Sequence, residues 1–146
     1  MSVSATNRRT LRILASLAIV FVVPFWALAL LGIAPIEDIV PGHARHSWAF
    51  LAPDVWITWR AICILHASRI SSVESDARLR DASLVLGGTF VPIGLYELAY
   101  GLGARVLLQP FRDVALEWLT LVFLLVAGPW LLLLGKSETP AGRDVS

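Results

Sequence analysis

The architecture turns on residues 55–70, VWITWRAICILHASRI. This stretch is apolar, but it is short for a membrane span and carries Arg60, His66 and Arg69. Stepping it at about 100° per residue gives no polar face, because Arg60 falls with Trp56, Cys63 and Ala67. A helix lying on a membrane surface would segregate its charges. The stretch therefore reads as a span packed against other helices, opened by the helix-start pair Pro53-Asp54 and covering 53–70.

Three longer apolar segments surround it. Ile13 to Ile36 contains no charge, and with Arg12 it predicts a span over 12–36. Arg8, Arg9 and Arg12 ahead of the run, and Ala27-Leu28-Ala29 within it, also fit a cleaved leader. The apolar run continues past that site, so a retained span is expected. Two further spans are expected over 82–108 and 114–135, separated by the turn QPFRD at 109–113. Residues 37–54, EDIVPGHARHSWAFLAPD, read as a polar connector with a turn at Pro41-Gly42, and 71–81, SSVESDARLRD, as a polar loop. From Lys136 onward, KSETPAGRDVS reads as a polar tail.

Composition agrees. The chain of 146 residues is 57% hydrophobic and 16% charged, with net charge +1 and mean hydropathy +0.73. Soluble domains carry about 25% charged residues. The expected fold is an all-α membrane protein, a single domain over 1–146 made of four transmembrane helices with short loops. The charge balance gives no field for nucleic acid. The lone cysteine, Cys63, excludes an internal disulfide or a cysteine-based metal site, and in an apolar helix it is expected to be inert.

Four spans leave Arg8, Arg9, Arg12, Arg69, Arg78, Arg80, Lys136 and Arg143 on one side, against Arg45, Arg105 and Arg112 on the other. The excess of positive charge on cytoplasmic loops then predicts both termini in the cytoplasm of a bacterial inner membrane.

Candidate functional residues are few. Arg60, Glu97 and Glu117 are charges inside spans, where a charge pairs or faces a cavity. At about 1.5 Å per residue, Arg60 and Glu97 each lie about 9 Å below the outer helix ends and Glu117 about 6 Å. One outer polar cluster with an Arg60–Glu97 pair is therefore expected. His43 and His46 form an HxxH in the outer connector, and with Pro41-Gly42 before them they read as solvated loop residues, not zinc ligands. His66 has the chemistry of an axial ligand to a chlorin. Gly87, Gly94 and Gly101 recur every seven residues and form a stripe expected to pack on another helix. Trp56 and Trp118 are expected in the outer aromatic belt, and Trp130 lies too deep for it.

No phosphate loop, nucleophile elbow, zinc-protease motif or catalytic carboxylate pair stands in the sequence. The expectation is a non-catalytic accessory subunit of a larger respiratory or photosynthetic inner-membrane complex. Its partners would be other membrane subunits and lipids, with no metal and no cofactor within the chain. Lipid, quinone or chlorin would be held at its surface. The other reading is a small oligomeric transporter or channel using Arg60 and Glu97 as its polar site.

Overall fold

A computed structural model describes residues 3–70 and 72–136. These are all helical or loop, with no strand among them. The helices are α1 (Ala5–Leu30), α2 (His43–Ala49), α3 (Leu51–Ala67), α4 (Val73–Gly103) and α5 (Phe111–Lys136), with a 3-10 turn at Val106–Leu108. Four helical segments are long and apolar enough to cross a membrane: Ala5–Leu30, His43–Ala67, Val73–Gly103 and Phe111–Lys136. The tail beyond Lys136, with Arg143, lies outside the described residues.

The second segment corrects the expected boundary. It begins at His43, not Pro53, because α2 and α3 join at Phe50, whose φ −83° and ψ −7° stay helical. Pro41-Gly42 does not prevent this helix but starts it. Gly42 adopts φ 87°, a left-handed conformation suited to glycine, and Asp38 Oδ1 accepts from the Ala44 amide at 2.7 Å. Pro53 sits in the first turn of α3, where its missing N–H costs nothing. A segment that looked too short is thus 25 residues long.

The expected polar loop over 71–81 is helix from Val73 onward. Ser72 caps it, accepting from the Ser75 amide at 3.1 Å. Glu74 and Asp76 sit in the first turn, where the helix dipole favours acids, and Glu74 pairs with Arg78 one turn on. At the other end α4 stops at Gly103, short of the expected 108.

The helices run up and down. The starts of α1 and α4 and the end of α3 share one end, where Arg8 pairs with buried Asp76 and Arg12 Nε donates to Ser68 Oγ at 3.0 Å. We call this the terminal end. The opposite, connector end holds residues 31–42 and 104–110. Packing is densest between α4 and α5, followed by α1 on α3 and α3 on α4, while α1 and α5 touch lightly.

The glycine stripe makes the α4–α5 contact close. A Cβ on Gly87 would come 2.8 Å from the Gly128 carbonyl oxygen, and one on Gly94 would come 2.9 Å from Leu125 Cδ2. Gly101 faces Leu107 of the 3-10 turn. Gly128 returns the contact, its absent side chain admitting Phe90 and Val91. Small residues on both helices let the backbones approach, which is where association in lipid gains most. Ala15, Ala61, Ile64, Leu79, Leu86 and Leu131 fill the rest of the core.

Candidate functional site: a polar-capped cavity between the helices

The light contact between α1 and α5 leaves a cavity of about 150 Å³ in the connector half of the bundle. All four helical segments wall it, and its lining changes along the helix axes. Toward the centre it is apolar: Ala18, Phe21, Ile57, Phe90, Phe123 and Leu124. Phe21 and Phe90 both pack on Phe123, at centroid distances of 5.4 and 5.6 Å. Toward the connector end the walls become polar, with Trp26, His43, His46, Asp54, Glu97 and Glu117. About seven residues of helix separate the two ends on α4, or about 10 Å.

Each polar group has a position set by its helix. On α2, His43 and His46 are one turn apart and share a face. His46 Nε2 lies 3.1 Å from Glu97 Oε1, and its ring stacks on Tyr100 at 3.4 Å between centroids and 8° between planes. His43 Nε2 lies 3.5 Å from Glu117 Oε1 and the same distance from Ser47 Oγ, which donates to the His43 carbonyl at 3.1 Å. His43 Nδ1 is buried and has no hydrogen-bond partner among the described residues. Across the cavity, Trp26 Nε1 donates to Asp54 Oδ2 at 2.7 Å. The aromatic Trp26–Trp48 contact, at 5.3 Å, ties α1 to α2 above it.

Of the expected outer cluster, Glu97 and Glu117 are brought together in this cavity and Arg60 is not. Arg60 Nη2 meets Asp81 Oδ2 at 3.3 Å, and its guanidinium lies 5.5 Å from the Trp56 ring. Asp81 precedes Glu97 by 16 residues of α4, about 24 Å along the axis. The expected Arg60–Glu97 pair is thus overturned. A depth counted from Pro53 misplaces Arg60, because the helical segment begins at His43. Trp56 lies about 20 Å from His43 along the His43–Ala67 segment. The histidines expected to be solvated are instead the partners of both carboxylates. The HxxH spacing held the signal, since two residues three apart share a face once they lie on a helix.

His66 is exposed in the last turn of α3 at the terminal end, apart from the cavity. Among the described residues no three His, Cys, Asp or Glu side chains converge as metal ligands. No family model, curated protein or solved structure matches the chain.

The arrangement can seat a small molecule with an apolar body and one polar end. A cavity of this volume takes a single six-membered ring. The imidazole–carboxylate pairs supply both hydrogen-bond donors and acceptors.

Proposed function

We propose that this chain is a four-span protein of a bacterial inner membrane, with both termini cytoplasmic. In this reading it serves as a non-catalytic accessory subunit of a larger respiratory or photosynthetic complex, holding a small amphiphile in its cavity. The observation that carries the reading is the cavity's gradient, from the phenylalanine-lined centre to the histidine–carboxylate end. A membrane-dissolved molecule meets that gradient with its own apolar body and polar head. The cavity lies beside the lightly packed α1–α5 contact, and Leu116 and Thr120 on the α5 side are exposed. That gap gives such a molecule a lateral path from lipid. The transporter reading rested on Arg60 and Glu97 acting in one site, and about 24 Å of α4 between Asp81 and Glu97 removes that support.

Gentle detergent extraction followed by native mass spectrometry tests the reading. The expected result is co-purifying membrane subunits together with a small hydrophobic adduct on this chain. Filling the cavity by Ile93→Trp should remove the adduct while the subunits remain. A chain that runs alone and without adduct contradicts the proposal.

A further inference from the structure

We propose that the cavity takes an amphiphile whose polar head is an ammonium group, a protonated amine, and that Asp54 is its chief partner. The inference rests on the amphiphile-binding reading above and names the ligand's class. Asp54, Glu97 and Glu117 all line the cavity, and among the described residues no arginine or lysine does. The arginines that pair with carboxylates do so elsewhere: Arg8 with Asp76, Arg60 with Asp81, Arg78 with Glu74 and Arg112 with Asp113. Glu97 and Glu117 have His46 and His43 beside them, whereas Asp54 has the neutral Trp26 indole. Even two charged imidazoles would therefore leave one of the three carboxylates without a counter-charge, and Asp54 is the one left over. It stands midway along the His43–Ala67 segment, eleven residues from one end and thirteen from the other. A charge inside a span pairs with a partner or faces a cavity. Oδ2 accepts from Trp26 Nε1 at 2.7 Å, and Oδ1 has no hydrogen-bond partner among the described residues. Unlike His43 Nδ1, that oxygen is not sealed inside the packing, and its residue lines the cavity.

An ammonium head meets Asp54 as a hydrogen-bonded ion pair. Where the empty cavity holds a proton on that carboxyl group, the cation takes its place and the proton leaves to water. A neutral head balances no charge, and an anionic head adds a negative group to three carboxyls. Aromatic rings favour the same guest. Trp26 and Phe50 line the cavity, Phe50 lies one turn before Asp54 on the same helix face, and a ring attracts a cation placed over it. About 150 Å³ holds one six-membered ring, which meets Phe21, Phe90 and Phe123 toward the centre. The class is thus a small arylalkylamine, with any longer apolar tail leaving through the α1–α5 gap. A bare metal ion would leave the phenylalanine-lined part unfilled.

The test titrates 4-fluorobenzylammonium, 4-fluorobenzyl alcohol and 4-fluoroethylbenzene into the full chain in uncharged maltoside micelles, read by fluorine NMR with empty micelles as reference. The three probes differ in one terminal group of nearly equal size. An apolar cavity alone favours the ethyl probe, a need for hydrogen bonds alone favours the alcohol, and an unbalanced carboxylate favours the ammonium. The expected result is ammonium binding at least about tenfold tighter than either neutral probe, the worth of a hydrogen bond between charged groups. Asp54→Asn keeps an acceptor for Trp26 and removes the charge. It should weaken ammonium binding at least about fivefold and leave the ethyl probe within about twofold, the latter reporting an intact cavity. The comparison on the unaltered chain stands without that variant. Neutral probes binding as tightly as the ammonium, or tighter, overturn the cation assignment and leave the amphiphile reading intact. An ammonium preference undiminished in an Asp54→Asn chain that still takes the ethyl probe overturns the role of Asp54. Binding of none of the three overturns both readings.

Discussion

Arg60 and Glu97 lie on neighbouring helices yet belong to different ends of the molecule. Arg60 bridges to Asp81, whose side chain is 74% exposed, so this is a surface pair of small worth. Arg60→Gln and Glu97→Gln should therefore act additively. A double-mutant cycle read by unfolding in mixed micelles should give a coupling below about 0.5 kcal/mol. A larger coupling would restore the pair that the sequence suggested. Asp76 presents the opposite case. It is 4% exposed, receives the Val3 amide at 3.1 Å and holds Arg8. Asp76→Ala should cost about 2–3 kcal/mol, below the cost at a fully enclosed pair because Arg8 keeps the Ile70 carbonyl at 2.7 Å. An unfolding midpoint within error of the parent would contradict that. Neither Asp76 nor His43 stands out in the sequence, since one sits in a polar run and the other beside Pro-Gly. Their importance comes from burial, and burial depends on where a helix starts.

At the level of the elements, hydropathy leaves the helix starts open. The apolar cores of α1, α4 and α5 are plain from hydropathy, and so is the even spacing of Gly87, Gly94 and Gly101. The joint at Phe50 and the helical run over 73–81 are not, because polar residues extend a helix as readily as they end one. Ser72 and Gly42, the residues that set those starts, are also ordinary loop residues. The glycine contact makes a sharp comparison between adjacent positions. A Cβ on Gly87 meets the Gly128 backbone, whereas one on Gly88 meets nothing within 4 Å. Gly87→Leu should force α5 away and cost at least about 2 kcal/mol, while Gly88→Leu should stay within about 0.5 kcal/mol of the parent. Thermal aggregation midpoints of the purified variants would show this difference. Similar losses in both would contradict the close α4–α5 packing.

Across the whole molecule, an up-down order of four segments follows from their number and the short links between them. The cavity does not follow from these. It exists because α1 packs on α3 and α4 on α5, so that α1 and α5 touch lightly, with Phe21 on Phe123, and leave room above. Hydropathy is silent on such pairing, and so the histidines at its rim looked like connector residues. A four-span protein needs the α2–α3 segment to cross the bilayer, since otherwise Glu37 and Arg112 would lie on opposite faces. Impermeant maleimide labelling decides this directly. In a Cys63→Ser background, single cysteines replace Ser4, Glu37 and Arg112 in turn, and labelling is compared between intact spheroplasts and lysed membranes. Four spans with cytoplasmic termini predict that Glu37→Cys and Arg112→Cys react in intact spheroplasts and that Ser4→Cys reacts only after lysis. Reaction of Glu37→Cys and Arg112→Cys from opposite faces would contradict it.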